Sequence, residues 1–452
     1  MLKLSKVDPT VGPILPSVIK YAFPVFLSLI IQTFMTAADS AVLGHMADSV
    51  AVAAVGATNT IVALLVSSMV GIAEGGKIMI ARAYGGRDFD RCRSVMNTSM
   101  IIAFSLGVIA AVGGLIFERP ILTAMNCPDD CINGSVTYLS IYFLSTPLTL
   151  IYNFGAGIIA ISGDSVKPMK YMLISGISNL ALNVILCLLL PNKIVAVAVA
   201  TVVGTSISTL LVIRDLLRHE RFALDFKHLT FNLGECLTVF KYGIPMALNT
   251  ALYAFSNVQI QSAINSFGSS AIAGNTSAIY FENVISCVTN CFYSSVAAFV
   301  GQNFGANNKK RVNMSIFVCT SICFALSEAL GIGIFIFGKH LLKIFIPADI
   351  AAIAFGVTRM KYLMLIYGLA GINGCLGAAI QAFGYTYIPT ANSILTVLVL
   401  RIVWMEFIFP KSPTPDTLYF CYTVSWILSF TICIIAFSVI HSRYRKDRLS
   451  IH

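Results

Sequence analysis

Residues 14–42 read ILPSVIKYAFPVFLSLIIQTFMTAADSAV, a run of 29 residues in which only Lys20 and Asp39 are charged. A helix needs about 20 apolar residues to cross a hydrocarbon core about 30 Å thick, so this stretch is predicted to span a membrane. Eleven further runs of similar length are separated by polar breaks. The approximate predicted spans are therefore 14–42, 50–80, 95–117, 134–161, 168–190, 194–217, 236–266, 271–302, 312–338, 352–382, 386–409 and 415–441.

The composition agrees with a chain that lies mostly in a lipid bilayer. Of its 452 residues, 57% are apolar and 11% are charged, whereas soluble domains carry about 25% charged residues. The net charge of +10 comes from short basic clusters between apolar runs, which is a pattern of membrane topology rather than of nucleic-acid binding. We therefore expect neither an enzyme nor a nucleic-acid partner, and the absence of a GxxxxGK[ST] phosphate loop disfavours an ATP-driven pump.

The distribution of basic residues predicts the orientation. With the amino terminus inside, 21 Lys and Arg fall on the inner side and seven on the outer side, and basic residues accumulate on the cytoplasmic side of membrane proteins. We therefore predict a multi-pass protein of the cell inner (cytoplasmic) membrane with both termini in the cytoplasm. In this count Arg359 belongs to the outer side, and Lys77 is the only basic residue placed deep in a span.

The chain contains an internal repeat. YAFP at 21–24 recurs as YGIP at 242–245, Gly163 corresponds to Gly384 at the same offset of 221, and YGG at 84–86 corresponds to FGA at 304–306. Six spans in each half make the repeat parallel, with lobes predicted to surround a central cleft. The expected organisation is an N-lobe at 1–218, a cytoplasmic connection at 219–235 and a C-lobe at 236–452 with a short basic cytoplasmic tail.

Several motifs at matching places in the two halves carry a family resemblance. They are the pattern Pro24, Gln32, Asp39, Gly44 in span one, AVAAVG at 51–56, ARAYGGRD at 81–88, SGDSVKPM at 162–169, the IP motif at 244–245 and GQNFGANN at 301–308. Together they resemble the multidrug and toxin extrusion (MATE) transporters. The resemblance implies a twelve-helix exporter that expels organic cations in exchange for protons or sodium ions.

Asp39 is the first candidate for ion coupling, because ionisable residues inside spans are costly and therefore functional by default. Thr36 and Gln32 lie three and seven residues before it, which places three polar groups on one helix face. Such a carboxyl group is suited to carrying a proton. The alternative is a carboxylate at the outer end of the helix.

The resemblance also implies a first-lobe ion site in which the acid of span one faces spans five and six. Here that site would contain Asn179 and Asn183, at i, i+4 in span five, and Thr201 in span six. Asn183 stands where many family members have a second carboxylate, which lowers the expected affinity for a metal cation. We therefore favour proton coupling, leave weak Na⁺ binding at these four residues open, and expect no other metal or cofactor.

The remaining carboxylates in spans have two interpretations each. Glu282, preceded by Tyr280 and Phe281, is suited to attracting a cationic aromatic substrate but equally to pairing with a polar residue of another helix. Glu74 has Lys77 at i+3, the spacing of an ion pair, and stays a second cleft candidate. Glu328, Glu406 and Arg401 are interpreted as structural.

The predicted function is secondary active export of organic cations or amphipathic drugs against H⁺, less favourably Na⁺, by alternating access in a monomer. Pro24 and Pro245 are predicted hinges, because proline removes a helical hydrogen bond. Two alternatives stay open. One is a flippase for lipid-linked precursors, which needs a strongly cationic cleft, and the other is an uncoupled channel or receptor.

Overall fold

A computed structural model describes residues 6–46, 49–125, 127, 129–347 and 349–446, with the side chains of some helical residues, Thr36 among them, left undescribed. The first half of the described chain forms six long helices. They are α1 (Ile14–Met46), α2 (Ser49–Gly85), α3 (Phe89–Ala124), α4 (Asp129–Ile161), α5 (Val166–Leu189) and α6 (Lys193–Leu217). A connection containing a 3₁₀ turn, Phe226–His228, leads to the second half.

The second half has the same plan with more interruptions. It contains α7 (Leu233–Ser266), α8 (Ser269–Gly305), α9 (Lys309–Ile336), the short α10 (Gly338–Phe345), α11 (Ile350–Leu363), α12 (Tyr367–Ala382), α13 (Tyr387–Ser393), α14 (Leu400–Val403) and α15 (Pro415–Arg445). A 3₁₀ turn joins α11 to α12, and π-helical segments flank α14, so α11–α12 and α13–α14 each form one composite span.

The described residues include eleven helical segments that are long and apolar enough to cross a membrane, and α7 is a twelfth long helix. Each half supplies six spans, as the apolar runs predict. The predicted fold class, an all-α membrane protein of twelve helices in two six-helix lobes, is confirmed.

The chain divides into two compact units. Unit 1 consists of Met1–Asp8 and Phe23–Ala247, and unit 2 consists of Pro9–Ala22 and Leu248–His452. Both α1 and α7 therefore contribute to both units, and the change of unit falls within three residues of Pro24 in α1 and of Pro245 in α7. The domain bounds expected from the repeat stay a prediction.

Side-chain contacts connect the segment Pro9–Ala22 to unit 2 and the start of α7 to unit 1. In unit 2, Asn303 Nδ2 donates to the Pro9 carbonyl at 2.9 Å, and Arg311 donates to the Pro9 and Gly12 carbonyls at 2.9 and 2.8 Å. In unit 1, Glu235 at the start of α7 pairs with Arg91 at 3.3 Å.

The internal repeat is visible in the backbone. Gly163 and Gly384 have φ angles of +97° and +90°, and Arg87 and Asn307 have φ angles of +60° and +53°. Non-glycine residues with positive φ are uncommon, so two matched pairs at offsets of 221 and 220 indicate equivalent turns.

Close helix packing holds each unit together. In unit 1, a side chain at Gly107 of α3 would overlap the backbone of Pro147 in α4, and in unit 2 a side chain at Gly274 of α8 would overlap Ala352 in α11. Small residues at such crossings let membrane helices approach and gain dispersion contacts. These crossings hold α3 against α4 in unit 1 and α8 against α11 in unit 2.

Candidate functional site

A polar network in unit 1 brings together the four predicted ion-coupling residues. Asn183 Nδ2 of α5 donates to Asp39 Oδ1 of α1 at 2.5 Å and to Asn179 Oδ1 at 3.3 Å, and Asn179 Nδ2 donates to Thr201 Oγ1 of α6 at 3.4 Å. The two asparagines share one face of α5 because they lie four residues apart. They are 2% and 0% exposed, respectively, so the network lies inside the unit.

The hydrogen bonds of this network run outwards from the Asn183 amide, which donates both to Asp39 and to Asn179. The Thr201 hydroxyl donates to the Val197 carbonyl at 3.0 Å, which leaves the Thr201 oxygen to accept from Asn179. Asn183 Oδ1 is buried and has no partner among the described residues. The site thus offers a carboxylate and an unused amide oxygen, which together could hold a proton or a small cation.

The other predicted residues of α1 lie along the same helix. Pro24 is inside α1, and its carbonyl accepts from the Ser28 hydroxyl at 3.0 Å. Gln32 is exposed on α1, two turns before Asp39. The side chain of Thr36 lies outside the described part of the structure.

Glu74 forms the internal ion pair that its spacing suggests. Lys77 Nζ donates to Glu74 Oε1 at 2.5 Å, and the two side chains are 21% and 19% exposed, respectively. Each charge is therefore balanced within one turn of α2.

Glu282 of α8 has a basic partner on a neighbouring helix. Arg359 of α11 donates through Nη2 to Glu282 Oε2 at 2.5 Å and through Nη1 to Asn275 Oδ1 at 2.9 Å. Asn275 Oδ1 also accepts from the Tyr419 hydroxyl at 2.9 Å. The pairing corresponds to the second interpretation of Glu282, a partner for a polar residue of another helix.

The aromatic residues before Glu282 pack on a ring of α10. Tyr280 stacks on Phe345 with ring centroids 5.4 Å apart, and Phe281 meets the same ring edge-on at 5.7 Å. Phe281 also packs on the buried apolar cluster around Ile285 and Met360.

Two arginines are buried in unit 2. Arg359 and Arg401 are 4% and 1% exposed, and the sequence had indicated neither their burial nor their partners. One signal was available for Arg359. Asn275 and Glu282 lie seven residues apart on one face of α8, the spacing of a polar stripe that needs a partner.

The remaining ionisable residues have local roles. Glu328 Oε2 accepts from the Gly368 amide at 2.9 Å, just after the 3₁₀ turn between α11 and α12. Glu406 is exposed. Among the described residues, no group of three or more His, Cys, Asp or Glu could hold a metal ion.

A twelve-helix membrane fold built from two repeated halves is typical of secondary transporters. A family model described as MatE matches residues 24–185 and 245–405. Since these stretches cover more than half of the chain, the protein belongs to the MatE family and is a MATE transporter of the bacterial type.

Individual relatives match most of the chain. The "Probable multidrug resistance protein YoeA" of Bacillus subtilis (strain 168) is 28% identical over 390 residues, which is 83% of each chain. The "Multidrug export protein MepA" of Staphylococcus haemolyticus (strain JCSC1435) is 22% identical over 86% of this chain and 87% of the relative. A solved structure, "Crystal structure of MATE in complex with MaL6", superposes with a TM-score of 0.89 at 17% identity over 98% of this chain and 99% of the other, and shows the same fold.

Proposed function

We propose that this protein exports organic cations or amphipathic drugs across the cell inner membrane in exchange for protons, by alternating access. Family membership and the drug-export names of its relatives support the substrate class. The observation that carries the coupling proposal is the contact between Asp39 and the buried amide of Asn183. That contact joins an ionisable group to a network of neutral side chains.

Proton transfer at Asp39 changes the strength of this contact. The ionised carboxylate accepts a charge-assisted hydrogen bond from Asn183, and such bonds are roughly twice as strong as neutral ones. Protonation removes that gain and leaves an O–H donor in a site where Asn183 Oδ1 is an unused acceptor. In the proposed cycle the proton enters from outside, drug is released, and Asn179 and Thr201 tune the proton affinity.

Protons are favoured over sodium ions by the chemistry of the network. A hard cation needs several oxygen ligands, and its affinity rises with the number of carboxylates. The network supplies one carboxylate together with amide and hydroxyl oxygens. A proton needs only the carboxylate and one acceptor.

Pro24 and Pro245 are the proposed hinges of the transport cycle. Each proline deprives its helix of one i to i−4 hydrogen bond, and each lies within three residues of the point where its helix passes from one compact unit to the other. Bending at these points would let α1 and α7 follow a rearrangement with little further loss of hydrogen bonding.

The proposal includes a monomeric state and an orientation with both termini in the cytoplasm. The three-to-one excess of basic residues on the inner side supports this orientation.

Exchange of one proton for one monovalent cation moves no net charge, so the membrane potential does not drive it. Each unit of pH gradient then sustains about tenfold accumulation.

Efflux of ethidium from proteoliposomes, with pH and Na⁺ gradients collapsed separately, tests the proposal. Wild-type efflux should stop when the pH gradient is collapsed and continue without Na⁺. Asp39→Asn should abolish coupled efflux, whereas Glu118→Gln, which removes another buried carboxyl group of unit 1, should retain it. Wild-type rates in Asp39→Asn would contradict the proposal. Failure of the wild type to move any cation would favour the flippase alternative, and ethidium movement independent of both gradients would favour an uncoupled channel.

A further inference from the structure

Arg401 is a buried cation without a carboxylate partner in the described part of the chain. It is 1% exposed. Its recorded acceptors are neutral, Ser256 Oγ at 3.1 Å and Asn257 Oδ1 at 3.5 Å, both on α7. Its Nε is buried and has no hydrogen-bond partner among the described residues. Burial of an unbalanced charge is strongly unfavourable, so such groups are paired or bind an ion.

A second buried arginine lies close by. The guanidinium carbons of Arg401 and Arg359 lie 4.3 and 5.5 Å from the ring centroid of Tyr422. They are therefore at most 9.8 Å apart, the sum of these two distances. Glu282 balances Arg359, and the Nε of Arg359 is also without a partner among the described residues. Two arginines and one glutamate leave this cluster with one excess positive charge.

The backbone around Arg401 is unusual. The α-helical turn Leu400–Val403 lies between two π-helical segments, Ile394–Val399 and Trp404–Ile408. π-Helical turns are rare and occur frequently at functional sites. The chain thus departs from regular helix on both sides of the residue that carries the unbalanced charge.

The internal repeat relates Tyr422, the ring shared by the two arginines, to a residue of the unit 1 network. Subtracting the offset of 221 relates Arg401 to position 180, next to Asn179, and relates Tyr422 to Thr201. In unit 1, Thr201 belongs to the network around Asp39, whereas Leu180 is 44% exposed and lies outside that network. In unit 2, Tyr422 instead lies between two buried arginines, so the position shared by Thr201 and Tyr422 has different surroundings in the two halves.

We propose that unit 2 binds a small monovalent anion of halide size beside the Arg401 guanidinium. The unused Nε–H of Arg401 would donate to it, and a weakly hydrated guanidinium suits such an anion. Asn257 is exposed while it contacts Arg401, so the ion would enter past this amide. The inference is independent of drug export, because it concerns occupancy of a site within unit 2.

Chloride and bromide are the probes for the test. Purified protein in detergent is melted in gluconate with increasing chloride at constant ionic strength, and unfolding is followed by fluorescence of Trp404 and Trp426, the only two tryptophans of the chain, both in unit 2. A ligand that binds only the folded state raises the unfolding midpoint by mass action. We expect a saturable rise for the wild type and for Arg119→Gln, an exposed arginine, and at least a tenfold loss of chloride affinity in Arg401→Gln.

Two outcomes would overturn the proposal: a wild-type midpoint insensitive to chloride, or undiminished sensitivity in Arg401→Gln. If Arg401→Gln does not fold, Arg401→Lys, which keeps the charge and loses the fork of donors, should bind chloride more weakly than the wild type. Crystals of the wild type soaked in bromide provide the direct observation. An anomalous peak beside Arg401 supports the site, and its absence at saturating bromide refutes it.

Discussion

Removing one partner of the Glu282–Arg359 ion pair should strongly destabilise unit 2, because it leaves the other buried without a counter-charge. Arg359 is 4% exposed and donates to Glu282 and to Asn275. Substituting Glu282 by Gln keeps the shape and an acceptor oxygen, but it leaves the guanidinium buried with neutral acceptors only. Because Asn275 Oδ1 also accepts from Tyr419, it cannot compensate for the lost charge.

The magnitude follows from the burial of the pair. Removing one partner of a buried ion pair costs about 3–5 kcal/mol of unfolding free energy, whereas removing both can be nearly neutral. Since Gln retains a hydrogen bond, we expect about 3 kcal/mol for Glu282→Gln. At about 2–4 °C per kcal/mol for a unit of this size, the unfolding midpoint should fall by about 6–12 °C. The double variant Glu282→Gln/Arg359→Gln should recover most of that loss.

Thermal unfolding of the purified protein, followed by tryptophan fluorescence, measures these differences. The control is Asp416→Asn, which breaks the 3.5 Å ion pair with Lys361. The Asp416 side chain is 56% exposed and that of Lys361 is 53% exposed. An exposed pair contributes about 0–1 kcal/mol, so this variant should melt within about 4 °C of the wild type. The reasoning is refuted if Glu282→Gln melts like the control, or if the double variant is as unstable as the single one. Retained drug efflux in the double variant would further show that Glu282 carries no coupling ion.

Three further predictions concern unit 1. Asn183→Asp places a second carboxylate beside Asp39 and should make ethidium efflux respond to a Na⁺ gradient; efflux unaffected by Na⁺ would count against the ion-site interpretation. Pro24→Ala should slow efflux several-fold at unchanged expression. The control is Pro120→Ala, which changes a proline inside α3 and should leave the efflux rate unchanged. Equal efflux rates in the two variants would contradict the hinge role of Pro24. Burial, with a smaller contribution from Lys6, lowers the pKa of His219 to about 4, so the unfolded chain binds more protons and stability is lost as the pH falls from about 6.5 towards 4. This loss of unfolding free energy is about 2 kcal/mol after allowance for solvent screening, and His219→Gln should abolish it. Melting curves of both proteins at pH 7 and pH 4.5 measure the difference; an equal acid-dependent loss in His219→Gln would contradict the prediction.

The number of helices and the repeat could be predicted because they depend on local properties. Apolar runs of about 20 residues are dictated by bilayer thickness, and Gly163 and Gly384 are matched because the same turn requires positive φ at both places. The division of α1 and α7 between the two units could not be predicted. It rests on contacts such as that of Asn303 with Pro9, which join residues nearly 300 positions apart.

The same distinction between local patterns and distant contacts applies to the site residues. The grouping of Asn179 and Asn183 with Asp39 could be predicted because their i, i+4 spacing is local and the family resemblance pointed to span five. Arg359 was counted among the outer-side basic residues, because a basic residue near the start of the predicted span 352–382 cannot be distinguished from a topology marker until its partner is known. That partner, Glu282, lies 77 residues away. Arg401 was recognised as an ionisable residue of a predicted span and interpreted as structural, but its surroundings could not be predicted, since hydropathy does not report the π-helical segments around it.

In the proposed mechanism, the different chemistry of the Asp39 network and the Arg401–Arg359 cluster limits how the transporter can be coupled. Asp39 can gain and lose a proton, but a guanidinium stays protonated under all conditions that leave a protein folded. Arg401 and Arg359 therefore supply fixed charge, and Glu282 is held by Arg359. If proton coupling resides in the unit 1 network alone, each transport cycle moves one proton. Export of a monovalent cation is then electroneutral, whereas export of a neutral drug by the same cycle would move one charge and respond to the membrane potential.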